Sequence, residues 1–270
     1  MKIIISHDVD HYTALEHVGD LIVPKSLIRN SLELILRRVS IREYFSRWET
    51  LIKNQWNNVQ KIISFDKEHE IPSTFFVAAN KGLGLSYNLR TTKALLDQIS
   101  SAGFNVGIHG IAFEDFDSIN CEYHTFKRIF AMEPAGIRMH CLRMNKQTAC
   151  FLNDVGFKYD SSIHLLEDPF KIGNLWEFPV HIMDTDVFCG RARWQVFGIE
   201  EAMKRSQRIL EDLEGRGIRY STILFHDFYF YEGYKSWKEW YIRFVEYIRL
   251  RNYSFVNFES AIDELENRTA

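Results

Sequence analysis

A chain of 270 residues that is 46% hydrophobic and 26% charged has globular composition and is long enough to bury a sizeable core. Its 33 basic residues stand against 36 acidic ones, a net charge of -3, and no Lys/Arg-rich run stands out; that balance argues against a dedicated nucleic-acid or anionic-membrane surface. No run of eighteen apolar residues suggests a membrane segment, and Cys121, Cys141, Cys150 and Cys189 are spaced for neither a metal ribbon nor a dense disulfide framework.

The chain enters its first strand at KIIIS, with no export-signal pattern ahead of it, so a cytoplasmic protein with reduced, mostly packed thiols is expected. That run ends in His7, Asp8, Asp10 and His11 without a turn residue between. Period-two geometry puts Asp8 and Asp10 on one face and His7 on the other. Two carboxylates on one face repel, and a cation beside them relieves the repulsion. The most basic stretch, LILRRVSIR, reads as part of a helix with its charges on the wet face. Helical patterning is strongest in IREYFSRWETLIKNQWNNVQKIISF, where Ile41, Phe45, Trp48, Ile52, Trp56, Val59 and Ile63 form a stripe expected to be core.

Beyond it, strand-like runs alternate with helical ones. STFFVA at 73–78 precedes the helix TKALLDQISSAG, which ends at Gly103; FNVGIH at 104–109 and AGIRMH at 135–140 precede KQTACFLNDVG, which ends at Gly156. FKYDSS at 157–162 and WEFPVHI at 176–182 lead to a helix over GIEEAMKRSQRILEDLEGRG, then STILFH at 221–226, the helix KSWKEWYIRFVEYIRLRN, the strand YSFVNF and the helix ESAIDELENR. No repeat, low-complexity tract or proline-rich linker marks a boundary, so residues 1–270 are expected to form a single domain. Repeated βαβ units imply parallel strands, and seven or eight of them fit a (β/α) barrel better than an open sheet.

In either architecture ligands gather at the carboxyl ends of strands. Asp8 and Asp10, His109, Arg138 with His140, and His226 with Asp227 all fall at such ends. His124, His164 and His181 do not, and are expected to be structural. Asp227 could orient the ring of His226 or cap the turn.

SHDVDH, IPSTFFV, GIHG, GIRMH and ILFHD, in this order, resemble the motifs of polysaccharide deacetylases with the NodB homology domain, the carbohydrate esterase 4 group, over nearly the whole chain. The resemblance implies a distorted (β/α)7-type barrel and a metal-dependent hydrolase of a carbon–nitrogen amide bond, commonly N-acetyl on a sugar. By its motifs Asp8 is the catalytic base, Asp10 and His109 are metal ligands, Arg138 contacts the base, and His226 is the general acid. A divalent ion, zinc foremost, and a carbohydrate or sugar-containing small-molecule substrate follow from the same likeness. In a cytoplasmic protein that substrate would be a soluble or lipid-linked precursor.

The pattern breaks at Phe113, four residues after His109, where the family places a second metal histidine. Another ligand substitutes, with Glu114, Asp115, His11 and His140 as candidates, or the metal is held weakly by Asp10, His109 and water, or it has been lost. Asp184 and Asp186 follow a strand without the family's Asp-Trp context, which leaves their role open. The aromatic run FYFYEGYKSW, with Tyr229, Tyr231 and Trp237, offers a stacking wall for sugar rings or else core packing. Loss of a ligand also opens an alternative function: a catalytically silent relative that binds a glycan or partner in the same cleft.

Overall fold

A computed structural model of the chain describes residues 1–86 and 88–267. Arg268, the last residue of the final expected helix, lies outside the described residues. The strands are β1 (Lys2–Val9), β2 (Thr74–Val77), β3 (Asn105–Gly110), β4 (Gly136–Met139), β5 (Tyr159–Asp160), β6 (Phe170–Ile172), β7 (Leu175–Glu177), β8 (Val180–Met183), β9 (Tyr220–Leu224) and β10 (Ser254–Phe255). The helices are α1 (Ile22–Ile35), α2 (Ile41–Ile52), α3 (Val59–Glu68), α4 (Leu89–Ser101), α5 (Phe116–Phe130), α6 (Thr148–Val155), α7 (Asp184–Cys189), α8 (Ile199–Gly215), α9 (Lys235–Leu250) and α10 (Phe258–Asn267).

The strands hydrogen-bond in the order β6-β7-β5-β4-β3-β2-β1-β9-β8, with β10 beside the start of β1. Every pair is parallel except β6 with β7. The curled sheet is the distorted barrel that the βαβ alternation and the motifs imply. Parallel strands covered on both faces must be apolar on both, which is why β1 begins as an unbroken isoleucine run. One face carries an interior cluster of Ile4, Phe76, Tyr159, Phe178 and Tyr220, to which α10 adds Phe258 and Leu265. The other packs under the helices, with Ile3, Ile5, Phe75 and Ile108 against Trp240, Tyr241 and Phe244 of α9 and their neighbours.

Several expectations change in the folded chain. The stretch 41–65 is two helices, because Asn54 takes a left-handed φ of 53° and the backbone N–H groups of Trp56 and Asn57 donate to the Tyr12 carbonyl instead of continuing the helix. Only the later half of its apolar stripe is core: Trp56, Val59 and Ile63 are buried, whereas Ile41, Phe45 and Ile52 are 66%, 64% and 83% exposed. LILRRVSIR is not one helix but the end of α1, a link and the start of α2, where Ser40 and Glu43 form a capping box. WEFPVHI divides into β7 and β8 around Phe178 and Pro179, since proline offers no N–H to a ladder. Of the four thiols, all free, only Cys189 is buried; Cys121, Cys141 and Cys150 are exposed.

Gly136 on β4 shows how closely the interior is filled. A Cβ there would lie 2.0 Å from the Tyr159 ring, which is buried and stacked on Phe258 at 4.6 Å. Gly136→Ala is therefore expected to cost about 1–3 kcal/mol of unfolding free energy, read by urea denaturation; a variant as stable as the parent would mean that this contact is not tight.

Candidate active site

β1 runs past its isoleucines through Ser6, His7, Asp8 and Val9, and its alternation sends successive polar groups to opposite faces. His7 turns under the helices, with Nδ1 3.0 Å from the Phe225 carbonyl and Nε2 3.0 Å from Asp66 Oδ2. Asp8 and Ser6 turn the other way and meet Arg138 of β4. Arg138 Nη1 donates to Ser6 Oγ at 2.8 Å and to Asp8 Oδ1 at 3.1 Å, while Nε and Nη2 donate to the Ser161 carbonyl and hydroxyl at 2.8 and 2.7 Å. Arg138 and Asp8 are both buried, so this is a charge-assisted contact out of water.

One step further along the rim, Asp10, His109 and His140 converge, with ligand atoms all within 4.8 Å of one another. His109 Nε2 lies 3.1 Å from Asp10 Oδ1 and 3.1 Å from His140 Nδ1. The outer ring nitrogens face backbone carbonyls: His109 Nδ1 is 3.0 Å from Arg138 O, and His140 Nε2 is 3.3 Å from Leu83 O. A carbonyl only accepts, so those nitrogens carry the protons, and the inner ones are left to offer lone pairs to a cation held together with Asp10. One carboxylate and two imidazoles oriented by carbonyls are a donor set suited to a divalent transition-metal ion, so the residues fit a metal. When protons stand in for a cation, burial pulls His140 down, but its hydrogen bonds and charge interactions with Asp10 and Cys141 together outweigh it and raise the ring to about 10. Burial likewise pushes Asp10 up, yet its bonds with His109 and His140 hold it well below the usual carboxylate range.

Of the four candidate replacements for the missing histidine, His140 alone joins this cluster. Asp115 is exposed and caps α5 by accepting from Ser118 N at 2.8 Å; Glu114 is exposed beside it. His11 lies next to the cluster but pairs with His17 at 3.1 Å, and burial lowers it to about 4. Phe113 has become a packing residue, with the Arg143 guanidinium 4.4 Å from its ring.

His226, after β9, is gripped by Asp184 at the start of α7. Its Nδ1 lies 2.9 Å from Asp184 Oδ1, and its backbone N–H donates to Asp184 Oδ2 at 2.7 Å. Burial pulls His226 down, but the charge and hydrogen bond of Asp184, together with the charges of Asp10 and Asp8, outweigh it and lift the ring to about 10, an imidazolium at neutral pH. Its Nε2 lies 3.8 Å from Asp10 Oδ2, so the ring faces the cluster. Asp184 therefore has a place that its sequence context left open; the available signal was its position after a strand. Asp227 does not orient His226, since it turns away and accepts from Asn58 N at 2.7 Å. Asp186 lies 3.5 Å from His164 at the half-open surface.

The aromatic wall is mostly core. Trp237 is fully buried and stacked on Tyr229 at 4.0 Å and Phe188 at 4.4 Å, and Tyr231 is buried against Tyr234; neither lines the cleft. Tyr229 does line it, together with Phe228. Glu122 of α5, which no sequence motif marked, accepts backbone N–H groups of Ile111 and Ala112 at 3.1 and 3.0 Å and so anchors the loop after His109.

No family model matches the chain, and no curated protein matches it by sequence. Solved structures do. The fold is that of the polysaccharide deacetylases: a protein of Mycobacterium smegmatis assigned to that class superposes with a TM-score of 0.68 at 18% identity, covering 99% of this chain and 90% of its own. PuuE allantoinase superposes with a TM-score of 0.64 at 14% identity over 96% of this chain and 87% of that one. A CE4-family pseudoenzyme from Bacillus anthracis gives 0.52 at 12% identity, over 96% and 64%.

Two measurements test the electrostatics. Asp184→Asn is expected to drop the His226 pKa from about 10 toward the ordinary imidazole value, read by NMR titration; an unmoved value would show that Asp184 does not hold the ring charged. Burial pushes Glu122 up to about 7 from an ordinary 4.5. Its contribution to stability is complete below pH 4.5 and is lost as pH rises through about 7. Glu122's own share of the unfolding free energy is expected to fall by roughly 2–3 kcal/mol between pH 5 and pH 8, so the pH slope of Glu122→Gln is expected to differ from that of the parent by this amount. An equal slope in both proteins would remove Glu122 as its source.

Proposed function

We propose that the chain is a metal-dependent hydrolase of a carbon–nitrogen amide bond that removes the acyl group of an N-acylated amino sugar, with residues 1–270 acting as one domain. The observation that carries this reading is the convergence of a buried carboxylate–arginine pair, a three-ligand donor set and a carboxylate-held imidazolium on one rim. Asp10, His109 and His140 would hold the metal, with zinc the best match to two imidazoles and a carboxylate. When bound, such an ion polarises an amide carbonyl and makes water a stronger nucleophile at neutral pH.

The chain's own residues do the rest. Asp8, fixed by two-centre contact of Arg138 with Ser6 and itself, is the base that takes the proton from attacking water. His226, kept charged by Asp184, gives a proton to the departing amine, without which the nitrogen leaves as a poor anionic group. Asp184 is a positioning residue, and Glu122 keeps the loop behind His109 in place. One observation favours a second reading, a silent binder: Phe113 stands at the expected ligand position, and a pseudoenzyme shares this fold.

Elemental mass spectrometry on the untagged protein, equilibrated with zinc, manganese, cobalt or nickel, separates the two. Near-stoichiometric metal is expected, lost in Asp10→Ala, His109→Ala and His140→Ala but kept in Asp8→Asn. Acetate release from N-acetylated chito-oligosaccharides should then fall about a hundredfold or more in Asp8→Asn. Metal that survives His140→Ala would overturn the third ligand; a loaded protein that binds the oligosaccharide without turnover would favour the silent binder.

A further inference from the structure

A cleft of about 560 Å³ adjoins the cluster and shares Asp10, His11 and His226 with it. The remainder of its lining is mostly cationic and apolar, with Lys25 and Arg29 from α1, Arg193 from the loop after α7, and Trp194, Phe228 and Tyr234, beside the hydroxyls of Ser26 and Thr185. The cationic excess is not a reflection of the whole chain, whose net charge is -3. Asp10 is the only carboxylate among the lining residues, and it is already engaged by His109 and His140.

Arg29 brings a charge that its surroundings do not fully balance. Its Nε lies 2.9 Å from Glu33 Oε1, but the other oxygen of Glu33 is taken by Arg47 Nη1 at 2.6 Å. Two guanidiniums thus share one carboxylate, and the group carries a net positive charge. Glu33 and Arg47 are buried, while the Arg29 side chain is a quarter exposed. Lys25 and Arg193 are exposed, and among the described residues neither side chain has a hydrogen-bond or ion-pair partner within the chain.

We infer that this cleft is a subsite for a phosphate or diphosphate ester, so that the protein prefers an acylamino sugar carried on a phosphate to a neutral sugar oligomer. The inference rests on the hydrolase reading for the sugar end of the substrate. Several cations around one cleft suit a multiply charged phosphate, whose oxygens accept from Arg and Lys together. The apolar walls then receive whatever lies beyond it. That group is a nucleoside or a lipid chain. On the lipid side stand Leu21 at the amino-terminal cap of α1 and Ile28 and Ile35 on the helix, 65%, 70% and 75% exposed, since Ile28 also lines the cleft.

The test is isothermal calorimetry on the full chain, in its Asp8→Asn form so that no turnover intervenes, with N-acetylglucosamine, N-acetylglucosamine 1-phosphate, UDP-N-acetylglucosamine and farnesyl-diphosphate-linked N-acetylglucosamine as probes. The phosphate-bearing probes are expected to bind at least about tenfold more tightly than the neutral sugar. Lys25→Ala and Arg193→Ala should each weaken them about tenfold without altering the neutral sugar or the melting temperature, and added salt should narrow the gap. Tighter binding of the UDP probe assigns a nucleotide carrier and tighter binding of the farnesyl probe a lipid carrier; both support the subsite. Equal affinity for charged and neutral probes, or charged-probe affinity untouched by both substitutions, overturns it. Acetate release from neutral oligosaccharides by the parent protein would survive that result, so failure of the subsite and failure of the hydrolase reading are distinguishable.

Discussion

The buried guanidinium of Arg138 is the contact on which the rim depends. It is fully excluded from water, lies 4.4 Å from the Phe76 ring, and spends its donors on Ser6 and Asp8 of β1 and on Ser161 beyond β5. A lone charge in that position would be prohibitively costly, so the carboxylate of Asp8 and the hydroxyls around it are required as well as useful. Because Arg138 ties β4 to β1 across the barrel interior, it joins the strand that leads into Asp10 to the strand that leads into His140. Its own backbone carbonyl accepts from His109, so one residue orients both the buried carboxylate and a ring of the donor set.

The remaining groups follow from the same geometry. Parallel strands all point their carboxyl ends to the same edge of the sheet, and pairing of His109 with Arg138 across β3 and β4 delivers neighbouring residues to that edge. His140 needs one thing more: the chain turns sharply after β4, with Cys141 and Leu142 in left-handed conformations, and this carries the ring over the end of β3. That turn brings a second imidazole nitrogen beside Asp10 and His109. On the opposite side, α7 begins immediately after β8, so Asp184 reaches His226 at the end of the adjacent β9. The cationic cleft completes the surroundings, with α1 placed by the Glu33–Arg47 bond to α2.

Much of this was legible in the residues. Isoleucine runs and alternating helices pointed to parallel strands, since burial on both faces leaves no room for polar alternation. Carboxylates and histidines directly after such runs pointed to a rim, because a buried strand does not end in charge without a partner. The stripe of Ile41, Phe45 and Ile52 misled for an equally physical reason. Periodicity reports that a helix has an apolar face, not that something covers it, and here α2 turns that face to solvent. The aromatic run after His226 left a stacking wall and core packing both open, because aromatic rings suit either, and Trp237 finds its partners in the core.

What the sequence determined by itself was local: the strand and helix periods, the glycine stops at Gly103 and Gly156, the placement of Asp8, Asp10, His109, Arg138 and His226 near strand ends, and the gap at Phe113. What only the tertiary structure decided was partnership. His140 instead of Asp115, Glu114 or His11 stands by Asp10; Asp184 instead of Asp227 holds His226; Arg29 and Arg47 divide one carboxylate. A residue's type states what it can donate or accept, and backbone period states which way it faces within its own element. Which groups meet depends on how elements far apart in the chain are turned against each other, and no local pattern contains that information.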